Sequence, residues 1–537
     1  MKMKIKKLSE SKSTQSLSSE STNELTHSKP SRHTAFNGVV ILTLALVIVK
    51  VLSAIYRVPY QNVLGDTGLY AYQQVYPIVA LGMILSMNAI PSAVTQTFGI
   101  SGQAASFSKV LLRFQMIGIV IFILLLLLAN PVAVLMGDSR LAPMLRMASL
   151  SYLFIGILGV CRGYYQSQRR MNIPAISQVI EQMIRVGFII VAIVLFMIRD
   201  WSIYQAGTIA ILASALGFLG SSLFLIVMKP FAFKMQNISV HIPWKDLLMA
   251  TLVFALSQLL VILWQFVDSF TIVHTLQSHG LHFKEAIMQK GIYDRGASFI
   301  QMGLIVTTTF SFVLIPLLTE AIEQQNQVKM NRYANASLKI TILISSAAGI
   351  GLINLLPMMN AVFFKTNSLS FTLGFYMLTV ICVSLIMMDI ALLQVLNCIR
   401  PILIGVMVGL VVKAILNVLL ISQYGIVGAS ISTVMSLACF GVILHREVLK
   451  QYHFNRMKPF ILKMITALAV MTIVIQIIME LLPVVGRIGG LIMLVIVAIL
   501  GVAVLLLLVI YMNILSYREL KHLPFGDKLY HIKKGRH

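Results

Sequence analysis

One recurrence constrains this chain more than anything else: between residues 36 and 514, apolar runs of 20 or so residues follow one another with only short polar breaks. Coiled as a helix rising about 1.5 Å per residue, such a run crosses a hydrocarbon core about 30 Å thick. Fourteen runs lie near 36–56, 72–96, 111–129, 144–166, 173–198, 204–228, 247–275, 292–319, 338–358, 370–397, 401–421, 425–445, 459–482 and 487–514. In lipid each run must satisfy its own backbone hydrogen bonds, which makes it a helix. A β-barrel would read as short alternating segments. The predicted fold class is an all-α polytopic membrane protein with 14 transmembrane helices. Composition agrees: 58% of residues are hydrophobic and 11% charged, where soluble domains carry about 25% charge. That excludes a cytosolic enzyme, a secreted domain and a disordered scaffold.

The 42 Lys and Arg residues outnumber the 18 acidic ones, for a net charge of +24. In a soluble chain this would point to nucleic acid; in this one the cations sort to one side of the membrane, and no nucleic-acid partner is expected. The first 35 residues, Ser/Thr/Lys-rich and without an apolar core, read as a disordered cytoplasmic tail, neither signal nor transit peptide. Basic residues recur after the fourth run (Arg162, Arg169, Arg170), the sixth (Lys229, Lys234, Lys245) and the twelfth (Arg446, Lys450, Arg456, Lys458). They recur again in the tail at 515–537, while the opposite loops are sparse. Both termini are therefore expected on the cytoplasmic side of the membrane. Cys161, Cys382, Cys398 and Cys439 lie in apolar runs without metal-ligand spacing and read as small hydrophobes.

A weak internal repeat is visible. Run two ends Ile90-Pro91 and run eight ends Ile315-Pro316; run five opens on Pro174 with Arg185 eleven residues on, and run eleven on Pro401 with Lys413 twelve on. Both pairs sit six runs apart. Two pseudo-symmetric six-helix lobes follow, at 36–228 and 247–445, with a site between them. The two C-terminal helices, 459–514, fall outside the repeat.

Charges inside the runs are costly, about 2.5–3.5 kcal/mol each at the bilayer centre, and so are functional candidates. They are Lys50, Glu181, Arg185, Asp268, Asp294, Arg295, Asp389, Lys413 and Lys463. Glu181 and Arg185, four apart on one helical face, read as a structural pair. Lys463 reads as snorkelling to the headgroups, and Asp389 has no assigned role. Lys50 and Arg57, seven apart, share a face with no acid in their run to neutralise them. Arg295 follows Asp294, whose side chain points about 100° away and makes a poor partner. Read as substrate-binding, Lys50, Arg57 and Arg295 would line a cavity for a large anion, Arg gripping phosphate oxygens bidentately. Read as structural, Lys50 or Lys413 would pair with Asp268 across helices. No phosphate-binding loop, metal motif or nucleophile elbow occurs, so no catalytic residue, metal site or cofactor is expected. Transport would draw on the membrane potential or a gradient of an ion or of the substrate.

Several stretches resemble a known family: Gly38-Val39-Val40-Ile41-Leu42-Thr43-Leu44 through Tyr56-Arg57-Val58-Pro59-Tyr60-Gln61-Asn62-Val63-Leu64-Gly65-Asp66, then Tyr70-Ala71-Tyr72-Gln73-Gln74-Val75-Tyr76-Pro77-Ile78, Gly163 to Pro174, and Tyr293-Asp294-Arg295-Gly296. Over 36–515 the chain is similar to the MurJ-type lipid II flippases of the MOP exporter superfamily, which is also the MATE-like fold. The resemblance implies that lipid II, an undecaprenyl-diphosphate-linked glycan, crosses by alternating access. Its diphosphate would bind in a cationic central cavity, and helices thirteen and fourteen would form a groove for the lipid tail. It implies that Lys50, Arg57 and Arg295 contact the diphosphate. Cell-wall synthases or a divisome are implied as partners. Some relatives carry a sodium site made by an Asp in helix seven and Asn/Asp in helix eleven. This chain offers Asp268 for the first, but Lys413 and Asn417 for the second, so a tethered ammonium would stand in for the ion. Three alternatives stay open: a flippase for another lipid-linked glycan (teichoic acid, capsule or spore cortex), a cation-coupled multidrug exporter, and a polymerase or ligase acting on the same carrier.

Overall fold

The computed structural model describes residues 56–99, 104–228, 242–482 and 486–516, with Ile48 and Glu519. The first expected helix, and Lys50 with it, lies outside the described residues except at its end. The N-terminal tail and the C-terminal tail beyond Glu519 lie outside as well. Among the described residues every regular element is helical.

The first described helix, α1 (Arg57–Ile84), is broken at Gly65, which adopts φ +71° and ψ −175°. A side chain would be strained in that region of backbone space, so a glycine lets the chain double back there. A π-helical turn (Leu85–Ala89) then leads into α2 (Ile90–Phe98). Pro91 sits in the first turn of α2, where its missing N–H costs little. There follow α3 (Ala104–Leu127), α4 (Ala129–Leu135), α5 (Ala142–Ser149), α6 (Ile155–Ser167), α7 (Asn172–Ile198) and α8 (Ile203–Val227). The second half comprises α9 (Trp244–Ser278), α10 (Phe283–Ser311), α11 (Ile315–Glu323), α12 (Gln327–Phe364), α13 (Ser370–Val395), α14 (Arg400–Tyr424) and α15 (Ile426–Gln451). Two more helices, α16 (Met457–Leu481) and α17 (Gly486–Tyr511), complete the chain.

Twelve stretches among the described residues are long and apolar enough to span a membrane. Helix α10 matches them in length but carries Lys284, Glu285, Lys290, Asp294 and Arg295. It starts nine residues before the expected 292, because one face of its polar first turns, with Ala286, Ile287 and Lys290, is buried against protein. Broad faces of α3 and α17 expose Leu112, Val120, Leu124, Ile488 and Leu507. Such faces suit lipid, where exposed apolar side chains carry no penalty.

The hairpins α7–α8 and α14–α15, which hold runs five and six and runs eleven and twelve, are each closely packed. Tyr60, Tyr72, Met144, Tyr152 and Ile211 anchor the core of the first half, and Phe299, Leu343, Met377 and Phe440 those of the second. Helix α9 belongs to both: it sends Val273 into the first core and Leu260 and Trp264 into the second. Helices α16 and α17 lie on α12, burying Phe460, Met464, Met471, Met493 and Val497. The two halves meet where α1 packs on α9 and α10.

Candidate functional site

The seam between the halves brings together Arg57 and Asp66 of α1 with Lys290, Asp294 and Arg295 of α10. At its Gly65 end, α10 approaches the turn so closely that a Cβ on Gly291 would overlap the Asp66 carbonyl oxygen. One helical turn on, Arg295 donates to Asp66 Oδ1 from Nε at 2.9 Å and from Nη2 at 2.5 Å. Its Nη1 donates to Asn360 Oδ1 at 3.1 Å. Arg295 is therefore a paired, fully buried residue bridging the halves. This corrects the expectation of an unpaired cation, which considered only Asp294. The true partner lies 229 residues away, just past the turn at Gly65. Two more contacts close this end: Asn62 Nδ2 to the Phe363 carbonyl at 2.9 Å, and Gln74 Nε2 to the Ser269 carbonyl at 2.5 Å.

Asp294 faces Lys290, its partner at 2.5 Å. Lys290 escaped the sequence reading because the run was started at 292, although its four-residue spacing from Asp294 was the available signal.

Arg57 differs from both. It is 3% exposed, its guanidinium lies over the Tyr76 ring at 5.0 Å, and its Nε is buried without a hydrogen-bond partner. The ion pairs among the described residues do not include it, and Asp294, on which its charge acts, is already bound to Lys290. A tyrosine cluster surrounds it. Tyr56 and Tyr72 share a hydroxyl contact at 2.9 Å, Tyr60 tilts against Tyr72 at 5.2 Å, and Tyr72 stacks on Tyr76 at 5.8 Å. Aromatic faces hold a cation without neutralising it.

Inside the first half, Glu181 accepts from Arg185 Nη2 at 3.0 Å, and from Arg162 Nη2 at 2.8 Å. Arg162 is fully buried within α6, a correction to its place among the loop cations. The run at 144–166 encloses it, but its closeness to Arg169 and Arg170 groups it with the loop cations. It is completed by Ser177 Oγ at 2.9 Å, Ser221 Oγ at 2.9 Å and the Ser86 carbonyl at 3.3 Å.

Inside the second half, Lys413 Nζ lies 2.7 Å from Asp268 Oδ1. It also donates to Asn417 Oδ1 at 2.9 Å, Thr433 Oγ1 at 2.6 Å, Ser432 Oγ at 3.1 Å and the Ala429 carbonyl at 3.4 Å. Asn417 Nδ2 returns a bond to Asp268 Oδ1 at 2.8 Å. The interhelical pairing weighed for Lys413 is the arrangement present. These oxygens suit an alkali cation in number and type, and in this structure the Lys413 ammonium sits among them. Asp389 has a partner in His445, whose Nδ1 lies 3.2 Å away. Lys463 reaches the Met512 carbonyl at 2.8 Å.

Taken by half, the charges divide unevenly. Among the described residues Lys290 is answered by Asp294 and Lys413 by Asp268, whereas Arg162 and Arg185 share the single carboxylate of Glu181 and Arg57 has no ion pair, a surplus of positive charge in the first half.

Comparison with known proteins places this arrangement. Residues 35–322 match a family described as polysaccharide biosynthesis protein. The chain is 32% identical over 378 residues to the uncharacterized membrane protein YabM of Bacillus subtilis (strain 168), spanning 68% of this chain and 70% of that protein. It is 24% identical over 395 residues to the lipid II flippase MurJ of the same organism, spanning 67% and 72%. Among solved structures, the lipid II flippase MurJ in an inward closed conformation superposes with a TM-score of 0.67 at 16% identity, covering 88% of this chain and 99% of that one.

Proposed function

The chain belongs to the polysaccharide biosynthesis protein family, as a MurJ-type member of the MOP exporter superfamily, and from that premise we propose that it is a flippase for an undecaprenyl-diphosphate-linked glycan, lipid II being the substrate that fits best. The observation that carries this reading is Arg57: a buried cation on a tyrosine face, with no carboxylate of its own, at the seam between two halves. A charge left uncompensated in a membrane interior is costly. The cost is offset when an anion arrives, and a diphosphate presents the oxygens an arginine fork takes. A multidrug exporter for cationic drugs would need the opposite surplus.

In this reading both termini lie in the cytoplasm and the Gly65 end faces outward. The Asp66–Arg295 bridge, with Asn62–Phe363 and Gln74–Ser269, holds that end shut while the glycan enters from the other. Binding at Arg57 tips the balance, the bridge parts, and the two halves rock about α9, which is packed into both. The Lys413 ammonium supplies a fixed charge beside Asp268, so translocation proceeds without sodium and draws on the membrane potential.

The test in cells is lipid II accessibility at the outer leaflet of a strain depleted of this protein and of other flippases. Wild type should restore it and Arg57→Ala should not. Normal accessibility without the protein, alongside loss of another surface glycan, would reassign the substrate to that glycan's lipid-linked precursor.

A further inference from the structure

The Arg162–Glu181–Arg185 cluster does more than tie helices together. Two guanidinium groups share one carboxylate, and they share it unequally. Arg162 is saturated by Ser177, Ser221, the Ser86 carbonyl and Glu181. Arg185 keeps only one oxygen of Glu181, Gln182 Oε1 at 2.9 Å and the Met83 sulfur at 3.0 Å. Its Nε is buried without a partner. A thioether is a weak acceptor, so the surplus charge of the cluster resides on Arg185.

That surplus faces the helix that carries the Arg57 site. Met83 and Tyr76 are seven residues apart on α1, two turns along one face and roughly 10 Å apart along the axis. Arg57 lies over Tyr76 and Arg185 touches Met83, and the charges of both act on the Tyr76 phenol. Arg185 lies farther from the Gly65 closure.

We propose that Arg185 is a second diphosphate station, deeper in the seam than Arg57, which the lipid-linked diphosphate engages before reaching Arg57. The assignment rests on the flippase reading above. It makes the site selective for diphosphate over monophosphate carriers, because a diphosphate can hold both cations as it passes from Arg185 to Arg57, whereas a single phosphate answers one and leaves the other.

The test titrates the purified full-length protein with undecaprenyl diphosphate and with undecaprenyl phosphate, and compares two variants of equal net charge. Arg162→Gln/Glu181→Gln removes the saturated cation and leaves Arg185. Arg185→Gln/Glu181→Gln removes Arg185 and leaves Arg162. The first should keep the wild-type preference for diphosphate, and the second should lose it by about tenfold or more. A purely structural cluster predicts lowered melting temperatures with the same preference in both, which would overturn the station. Arg185→Lys, retaining charge but not the fork, should fall between, and an unchanged preference in Arg185→Gln alone would equally refute it. Wild type binding both carriers alike would contradict the diphosphate reading itself and remove the basis for either site.

Discussion

At the scale of single residues, burial alone does not identify a functional cation; its partners do. Arg295 and Arg57 are almost equally buried, yet one is fastened to Asp66 and the other rests on an aromatic ring. Removing them should therefore have opposite consequences. Arg57→Ala removes a charge that nothing nearby neutralises, so thermal unfolding in detergent should shift little. Translocation should fall about ten- to hundredfold, the loss of one charge-assisted contact of about 1.5–3 kcal/mol. Arg295→Ala strands Asp66 and should destabilise as well as inactivate. The Lys413–Asp268 pair gives the cleanest contrast. Lys413→Met or Asp268→Asn alone leaves one buried charge, at a cost of about 3–5 kcal/mol, while the double variant should recover much of that melting temperature. Replacing sodium by potassium should leave wild-type translocation unchanged; an activity that requires sodium would refute the tethered-ammonium reading.

Elements show where the sequence was legible and where it was not. Apolar runs announce the helices because lipid accepts almost nothing else, and among the described residues the structure keeps them, adjusting their ends. Helix α10 is the exception. Its first turns bury Ala286, Ile287 and Lys290 while Lys284 and Glu285 stay exposed, so its polarity hid about two and a half helical turns and Lys290 with them. Arg162 was misplaced for the converse reason: hydropathy finds the edge of an apolar run but cannot tell a loop cation from one caged by Glu181 and two serines. Glu181 with Arg185 could be anticipated because helical geometry brings residues four apart together. Asp66 with Arg295 could not, since only the packing of α1 on α10 brings them within reach. That packing depends on Gly291. Gly291→Ala should push α10 away from the Asp66 turn and widen the distance between spin labels placed across the Gly65 end. An unchanged distance distribution would mean that the closure does not depend on this approach.

For the whole molecule, α9 packs into both halves, and α1 meets α10 beside the polar contacts at the Gly65 end; the proposed cycle parts the second junction and keeps the first. Such a body can open at one end without losing either core. The charge swap Asp66→Arg/Arg295→Asp should restore part of the closure lost in Asp66→Asn, as cross-linking of cysteines introduced on either side of the seam would report.

The most direct test of the central claim is transbilayer movement of fluorescent lipid II in proteoliposomes carrying the full-length protein, read with a membrane-impermeant quencher. Wild type should render the inner-leaflet pool accessible to the quencher, and Arg57→Ala, equally folded and equally reconstituted, should not. Equal movement in wild-type, Arg57→Ala and protein-free vesicles would contradict the account, and so would wild-type movement that is unaffected by loss of Arg57.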